Sequence, residues 1–119
     1  MALTIWHNPR CSKSRQTLDL IEAAGIEPEI RRYLDDPPSP DELDAALRAL
    51  DLEPWALARM GEPLAAELGL PDLPRDAANR ERWIAILSAN PRLIERPVVL
   101  ADDGRAVLGR PPENVGGLL

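Results

Sequence analysis

The chain has one cysteine and one histidine in 119 residues. A lone cysteine excludes an internal disulfide and every zinc cluster built from several thiolates. One His, one Cys and scattered carboxylates make no metal-ligand set, so no metal is expected. A chain so poor in cysteine suits a reducing compartment, and a cytoplasmic location is expected. The N-terminus lacks a basic stretch followed by a long apolar run, so no signal peptide is expected. No apolar run approaches the length that spans a bilayer, and no membrane partner is expected. Positive charge is also short: 14 Lys and Arg stand against 20 Asp and Glu, a formal net charge of −6. That balance argues against general nucleic-acid binding. An acidic protein that handles an anion must gather its cations locally. Repeats, low-complexity segments and linkers are absent. The length fits one domain, 1–119, able to bury about two-thirds of its extended surface.

The single cysteine lies in the most informative stretch. Residues 3–6 (Leu-Thr-Ile-Trp) read as a strand, His7 to Arg10 as a sharp loop, and Ser12 as the start of a helix. Asn8-Pro9 marks the turn, because proline drives the residue before it out of the helical region. Leu18 and Ile21 share a helical face, and Gly25 is a C-terminal stop. Cys11 then stands where free backbone N–H groups and the positive end of a helix dipole converge. Such a place lowers a thiol pKa and binds oxyanions. Arg10, Lys13 and Arg15 add positive charge. The plainer reading of a lone cysteine is an inert buried residue. A strand-to-helix turn among cations instead favours a nucleophile.

The rest of the chain is punctuated by 13 prolines, with apolar periodic segments between them. Residues 29–33 read as a second strand, parallel to the first in a βαβ unit. Ser39-Pro40-Asp41-Glu42 is a capping box, followed by Leu43, Ala46, Leu47 and Leu50 at helical spacing. A shorter helix is expected from Glu53-Pro54 to about Met60, another over 63–68, and a loop over 71–74. A longer helix is expected over 77–89, with Trp83, Ile84 and Leu87 inward. Residues 97–101 and 105–108 read as antiparallel strands around the Asp102-Asp103-Gly104 turn. Pro111-Pro112 leads into a short terminal helix. This order, β-α-β then helices then β-β-α, is the outline of an α/β, thioredoxin-like fold. It has a mixed four-stranded sheet, flanking helices and a helical insertion.

Three arginines lie in segments that could converge on Cys11: Arg59 on the inserted helices, Arg96 before the third strand, and Arg110 after the fourth. The planar guanidinium fork suits a tetrahedral oxyanion, although any one arginine is as readily a surface charge. Pro97 stands where thioredoxin-like proteins carry a cis-proline; an ordinary trans proline opening a strand is the plainer reading. His7 either tunes Cys11 or caps its own strand. Ser14 occupies the spacing of a resolving cysteine, but a hydroxyl cannot form a disulfide.

Five segments together resemble one bacterial family: His-Asn-Pro-Arg-Cys-Ser-Lys-Ser-Arg (7–15), Tyr-Leu-Asp-Asp-Pro-Pro (33–38), Glu-Leu-Gly-Leu (67–70), Asn-Pro-Arg-Leu-Ile-Glu-Arg-Pro-Val-Val (90–99) and Gly-Arg-Pro-Pro-Glu (109–113). The chain resembles the glutaredoxin-coupled arsenate reductases, in the branch with Cys-Ser-Lys-Ser-Arg where other members have Gly-Thr after the cysteine. The resemblance implies that Cys11 attacks arsenate and that Arg59, Arg96 and Arg110 hold the oxyanion. It also implies that Pro97 is cis. His7, Ser14 and Arg15 are supporting candidates around Cys11. No cofactor would be bound, glutathione would be co-substrate and glutaredoxin the partner. Relatives of the same fold also include protein-binding transcription regulators. A general glutathione-dependent thiol reductase is the other alternative.

Overall fold

The structure is a computed structural model and describes residues 2–119. Its contacts divide the chain into two compact units, a sheet unit of residues 2–36 and 96–119 and a helical unit of 37–95.

The sheet unit is built on β1 (Leu3–Trp6), β2 (Glu29–Arg31), β3 (Val98–Ala101) and β4 (Ala106–Leu108), in the order β2-β1-β3-β4. β1 is parallel to β2 and antiparallel to β3, and β3 is antiparallel to β4. This is the expected mixed four-stranded sheet. Leu3 and Ile5 of β1 pack with Val99 and Ala101 of β3, Ile21 of the following helix, and Val115 and Leu118 near the C-terminus. That helix is α1 (Ser12–Ala23), which buries Ser14, Thr17 and Ile21 on one face. Gly25 ends it at φ 81°, with Ile26 N–H donating to Ile21 O and Gly25 N–H to Glu22 O. These two bonds are a Schellman motif, and the left-handed C′ residue is why glycine stands there. The terminal segment Pro112–Leu118 is a 3-10 helix.

The second strand stops at Arg31 rather than reaching residue 33. Its neighbour has run out: His7 N–H donates to Arg31 O, and the chain beyond His7 turns into the Cys11 loop. Asp35 and Asp36 N–H groups both donate to Arg32 O, folding the segment into a turn with Tyr33 buried.

The helical unit contains α2 (Pro40–Leu50), α3 (Pro54–Leu57), α4 (Pro63–Glu67) and α5 (Arg80–Ala89). The capping box forms in full: Glu42 N–H donates to Ser39 Oγ at 3.1 Å, and Ser39 N–H to Glu42 Oε1 at 3.0 Å. Leu43, Ala46 and Leu47 of α2 are buried, as are Trp83, Ile84 and Leu87 of α5, while Leu50 is only half-buried. The third helix ends at Leu57, three residues short of Met60. Ala58 is extended and bridges to Ile94, and Arg59 N–H donates to Leu93 O at 2.7 Å. The strand-like bridge takes the backbone groups that a longer helix would have used. A 3-10 turn at Leu70–Asp72 overlaps the expected 71–74 loop, and the expected 77–89 helix opens with another at Ala77–Asn79. Among the described residues no helix is long and apolar enough to cross a membrane.

Candidate active site at the Cys11 loop

Cys11 is the N-cap of α1, with extended backbone (φ −97°, ψ 121°) and only 7 % exposure. Arg15 N–H makes the first helical bond, to Cys11 O at 3.0 Å. The amides before it in the first turn have no intrahelical acceptor, which makes this helix end a donor site. Burial pushes the Cys11 thiol up. The backbone N–H groups of Ser14 and Lys13, with the charge and side-chain donor of Arg96, outweigh it and leave the thiol below its ordinary value. The thiol forms no fully aligned cap hydrogen bond, so these amides act as oriented dipoles facing the sulfur.

Arg96 lies just before β3, and its peptide bond to Pro97 is cis, as the family resemblance implied. Its Nε and Nη1 are buried and have no hydrogen-bond partner among the described residues. A buried guanidinium with unmade bonds is costly. Beside a thiol of lowered pKa, it forms a donor face suited to an anion. Arg110 follows β4. Its Nε donates to Arg96 O at 2.7 Å, and its Nη2 approaches Cys11 Sγ at 3.9 Å. Arg110–Pro111 is a second cis peptide bond, with no counterpart among the sequence expectations.

The sheet unit thus places Arg96 and Arg110 at Cys11. Arg15 turns back on its own loop, Nη1 donating to Pro9 O at 2.9 Å. His7 is buried, and its Nδ1 lies 2.6 Å from Ser14 Oγ. Burial first, then the charges of Arg32 and Arg15, hold its pKa below the ordinary histidine value. The ring is therefore neutral near pH 7. Arg59 belongs to the helical unit, where Nη1 pairs with Glu62 at 2.7 Å and donates to Arg92 O at 3.4 Å.

Two contributors escaped the sequence reading. Asn8 organises the loop: its carbonyl accepts from Cys11 N–H and its Oδ1 from Arg10 N–H, each at 3.0 Å. Gly109 lets three segments close up. A Cβ there would stand 2.6 Å from Thr17 Oγ1 and 2.7 Å from Pro97 Cγ. Its own N–H donates to Pro97 O at 2.9 Å, one residue before Arg110. A glycine between an apolar strand and Arg-Pro-Pro was the available signal for this close approach.

Comparison with known proteins shows what the chain is similar to. A protein 48% identical over 113 residues, spanning 95% of each chain, is the "Uncharacterized protein in glnII region" of Streptomyces viridochromogenes. The arsenate reductase of Neisseria meningitidis serogroup B is 43% identical over 120 residues, covering 98% of this chain and 97% of its own. The solved arsenate reductase from Vibrio cholerae is 42% identical and superposes with a TM-score of 0.91, covering 100% of this chain and 98% of that one. A model of the ArsC family matches residues 6–118, so the chain belongs to the ArsC family, with its thioredoxin-like fold.

Proposed function

We propose that this protein is a glutathione- and glutaredoxin-dependent arsenate reductase with Cys11 as nucleophile. The observation that carries the proposal is the Cys11 thiol of lowered pKa beside the buried, unpartnered Nε and Nη1 of Arg96. The names of its relatives among the arsenate reductases support the substrate. The setting is proposed to be the cytoplasm, where glutathione is abundant.

Arsenate binds at the free amides of α1 and the Arg96 and Arg110 side chains. Arg59 enters as a third ligand on the family resemblance. The Cys11 thiolate attacks arsenic, an S–As bond forms, and an arsenic oxygen leaves as water after taking up protons. The guanidinium donors disperse the oxyanion charge as the bond forms. Glutathione thiolate then attacks Cys11 Sγ. The S–As bond breaks with its electron pair going to arsenic, which departs as arsenite, while the two sulfurs are oxidised to a mixed disulfide. The chain has no second cysteine to resolve that bond. A glutaredoxin thiolate attacks the glutathione sulfur and returns Cys11 as thiolate.

The test is arsenate-dependent NADPH oxidation coupled through glutathione reductase, with and without glutaredoxin. Turnover should require both thiols, and omitting glutaredoxin should trap a protein one glutathione heavier, a species absent in Cys11→Ser. Full turnover with thioredoxin as sole reductant would overturn the mechanism. Reduction of glutathione mixed disulfides with no response to arsenate would move the protein to the general thiol reductases.

A further inference from the structure

Ser14 is fully buried, and its hydroxyl has two close polar neighbours: His7 Nδ1 at 2.6 Å and Asn8 N–H, which donates to it at 3.1 Å. A hydroxyl carries one proton and two lone pairs. Asn8 N–H is only a donor and takes one lone pair. If His7 Nδ1 also donated, the hydroxyl proton would be left in a buried site without an acceptor among the described contacts. That arrangement wastes a buried donor. The count closes when the hydroxyl proton goes to a bare Nδ1, which puts the imidazole proton on Nε2.

The bonds continue toward the thiol. Asn8, held by Ser14 through its N–H, accepts from Cys11 N–H through its carbonyl. The Ser14 amide is also among the first-turn dipoles that favour the Cys11 thiolate. One residue therefore holds the loop through its hydroxyl and adds its amide dipole at the thiol. We propose that Ser14 is the positioning residue of the Cys11 loop: its hydroxyl proton goes to His7 Nδ1 and its oxygen takes the Asn8 N–H, fixing the Nε2–H tautomer and the backbone that aims Sγ. The position that could hold a resolving thiol is thus committed to shaping the loop. Misaiming a reacting group by about 1 Å is expensive, so a slack loop costs reactivity without touching the sulfur.

The inference rests on Cys11 being the reactive thiol, and its test needs neither arsenate nor glutathione. The chain has one histidine, so an untagged, 15N-labelled sample gives a single imidazole to read. In the wild type Nδ1 should be the unprotonated ring nitrogen near neutral pH. Ser14→Ala should mix the two tautomers and speed hydrogen exchange at the Asn8 amide. Alkylation of Cys11 by iodoacetamide near pH 7 should slow about tenfold, while Ser14→Thr restores all three readouts. A wild-type imidazole with its proton on Nδ1 would overturn the proposal even if Ser14→Ala fails to fold. A Ser14→Ala protein with the wild-type tautomer and wild-type Asn8 exchange would overturn it too. A protein that meets every expectation yet ignores arsenate would sink the proposed substrate and leave the role of Ser14 standing.

Discussion

Arginine is used in opposite ways in the helical unit and at the Cys11 loop. In the helical unit Arg48 and Arg80 are matched with carboxylates, as Arg31, Arg32 and Arg105 are elsewhere in the sheet unit. Arg80 meets Asp44 at 2.6 Å and Glu53 at 3.4 Å, and Arg48 meets Asp44 at 2.9 Å. At the Cys11 loop Arg96 buries Nε and Nη1 without a hydrogen-bond partner among the described residues. A matched pair near the surface has little left to give. A buried fork with unmade bonds keeps its binding capacity for whatever anion arrives. The difference lies in what each guanidinium has left to offer, since the residue type is the same.

The largest effect is expected at Arg96. Arg96→Lys keeps the charge and loses the fork, so arsenate turnover should fall about tenfold or more, the equivalent of one charge-assisted hydrogen bond of about 1.5–3 kcal/mol. Steady-state kinetics beside thermal unfolding decide it. Turnover close to wild type would erase the contrast between Arg96 and the paired arginines. Gly109→Ala comes next. The added methyl must displace Thr17 or Pro97, costing about 1–3 kcal/mol in urea unfolding, and should weaken oxyanion binding through the neighbouring Arg110. A variant as stable and active as the wild type would show that the close approach is slack.

The Cys11 thiol supplies a smaller, pH-dependent effect. Its pKa is lower in the folded chain than in the unfolded one. The folded state therefore favours thiolate, and that stabilisation is fully present above the unfolded value. It fades as pH falls through the lowered native value. The urea midpoint of the wild type relative to Cys11→Ala should rise with pH across that window, and the midpoint for alkylation should lie below that of a free thiol. A flat difference would return Cys11 to an inert role. The smallest effect belongs to Arg80→Lys, expected to change turnover by less than about twofold, because a matched surface pair contributes little. A loss comparable to that of Arg96→Lys would place Arg80 among the functional arginines.

Much of the fold could be read from local chemistry. The Ser39 capping box and the Gly25 stop involve residues close in sequence, and both form as written. The inward faces of α2 and α5 followed from spacing alone. The misread boundaries have distant causes. The third helix is cut short by Ile94, 36 positions beyond Ala58, and the second strand by the point where β1 turns away. Positions at the ends of strands and helices were enough to single out Cys11, Arg96 and Arg110. The amides at Cys11 followed from its place at a helix start. The Asn8 bonds lie within residues 8–14, but a turn signal does not say which groups pair, and the Gly109 contact depends on Thr17 and Pro97, distant in sequence.

The unmade bonds of Arg96 also bear on how the protein is handled. An anion seated there binds the folded chain and not the unfolded one, so it acts as a protectant. A ligand at a hundredfold excess over its Kd raises stability by about 2.7 kcal/mol. Phosphate, arsenate's near twin in charge and shape, should therefore raise the melting temperature and shield Cys11 from alkylation. A phosphate buffer would make the thiol look sluggish and the protein robust, and a zwitterionic buffer would reveal both as properties of the salt.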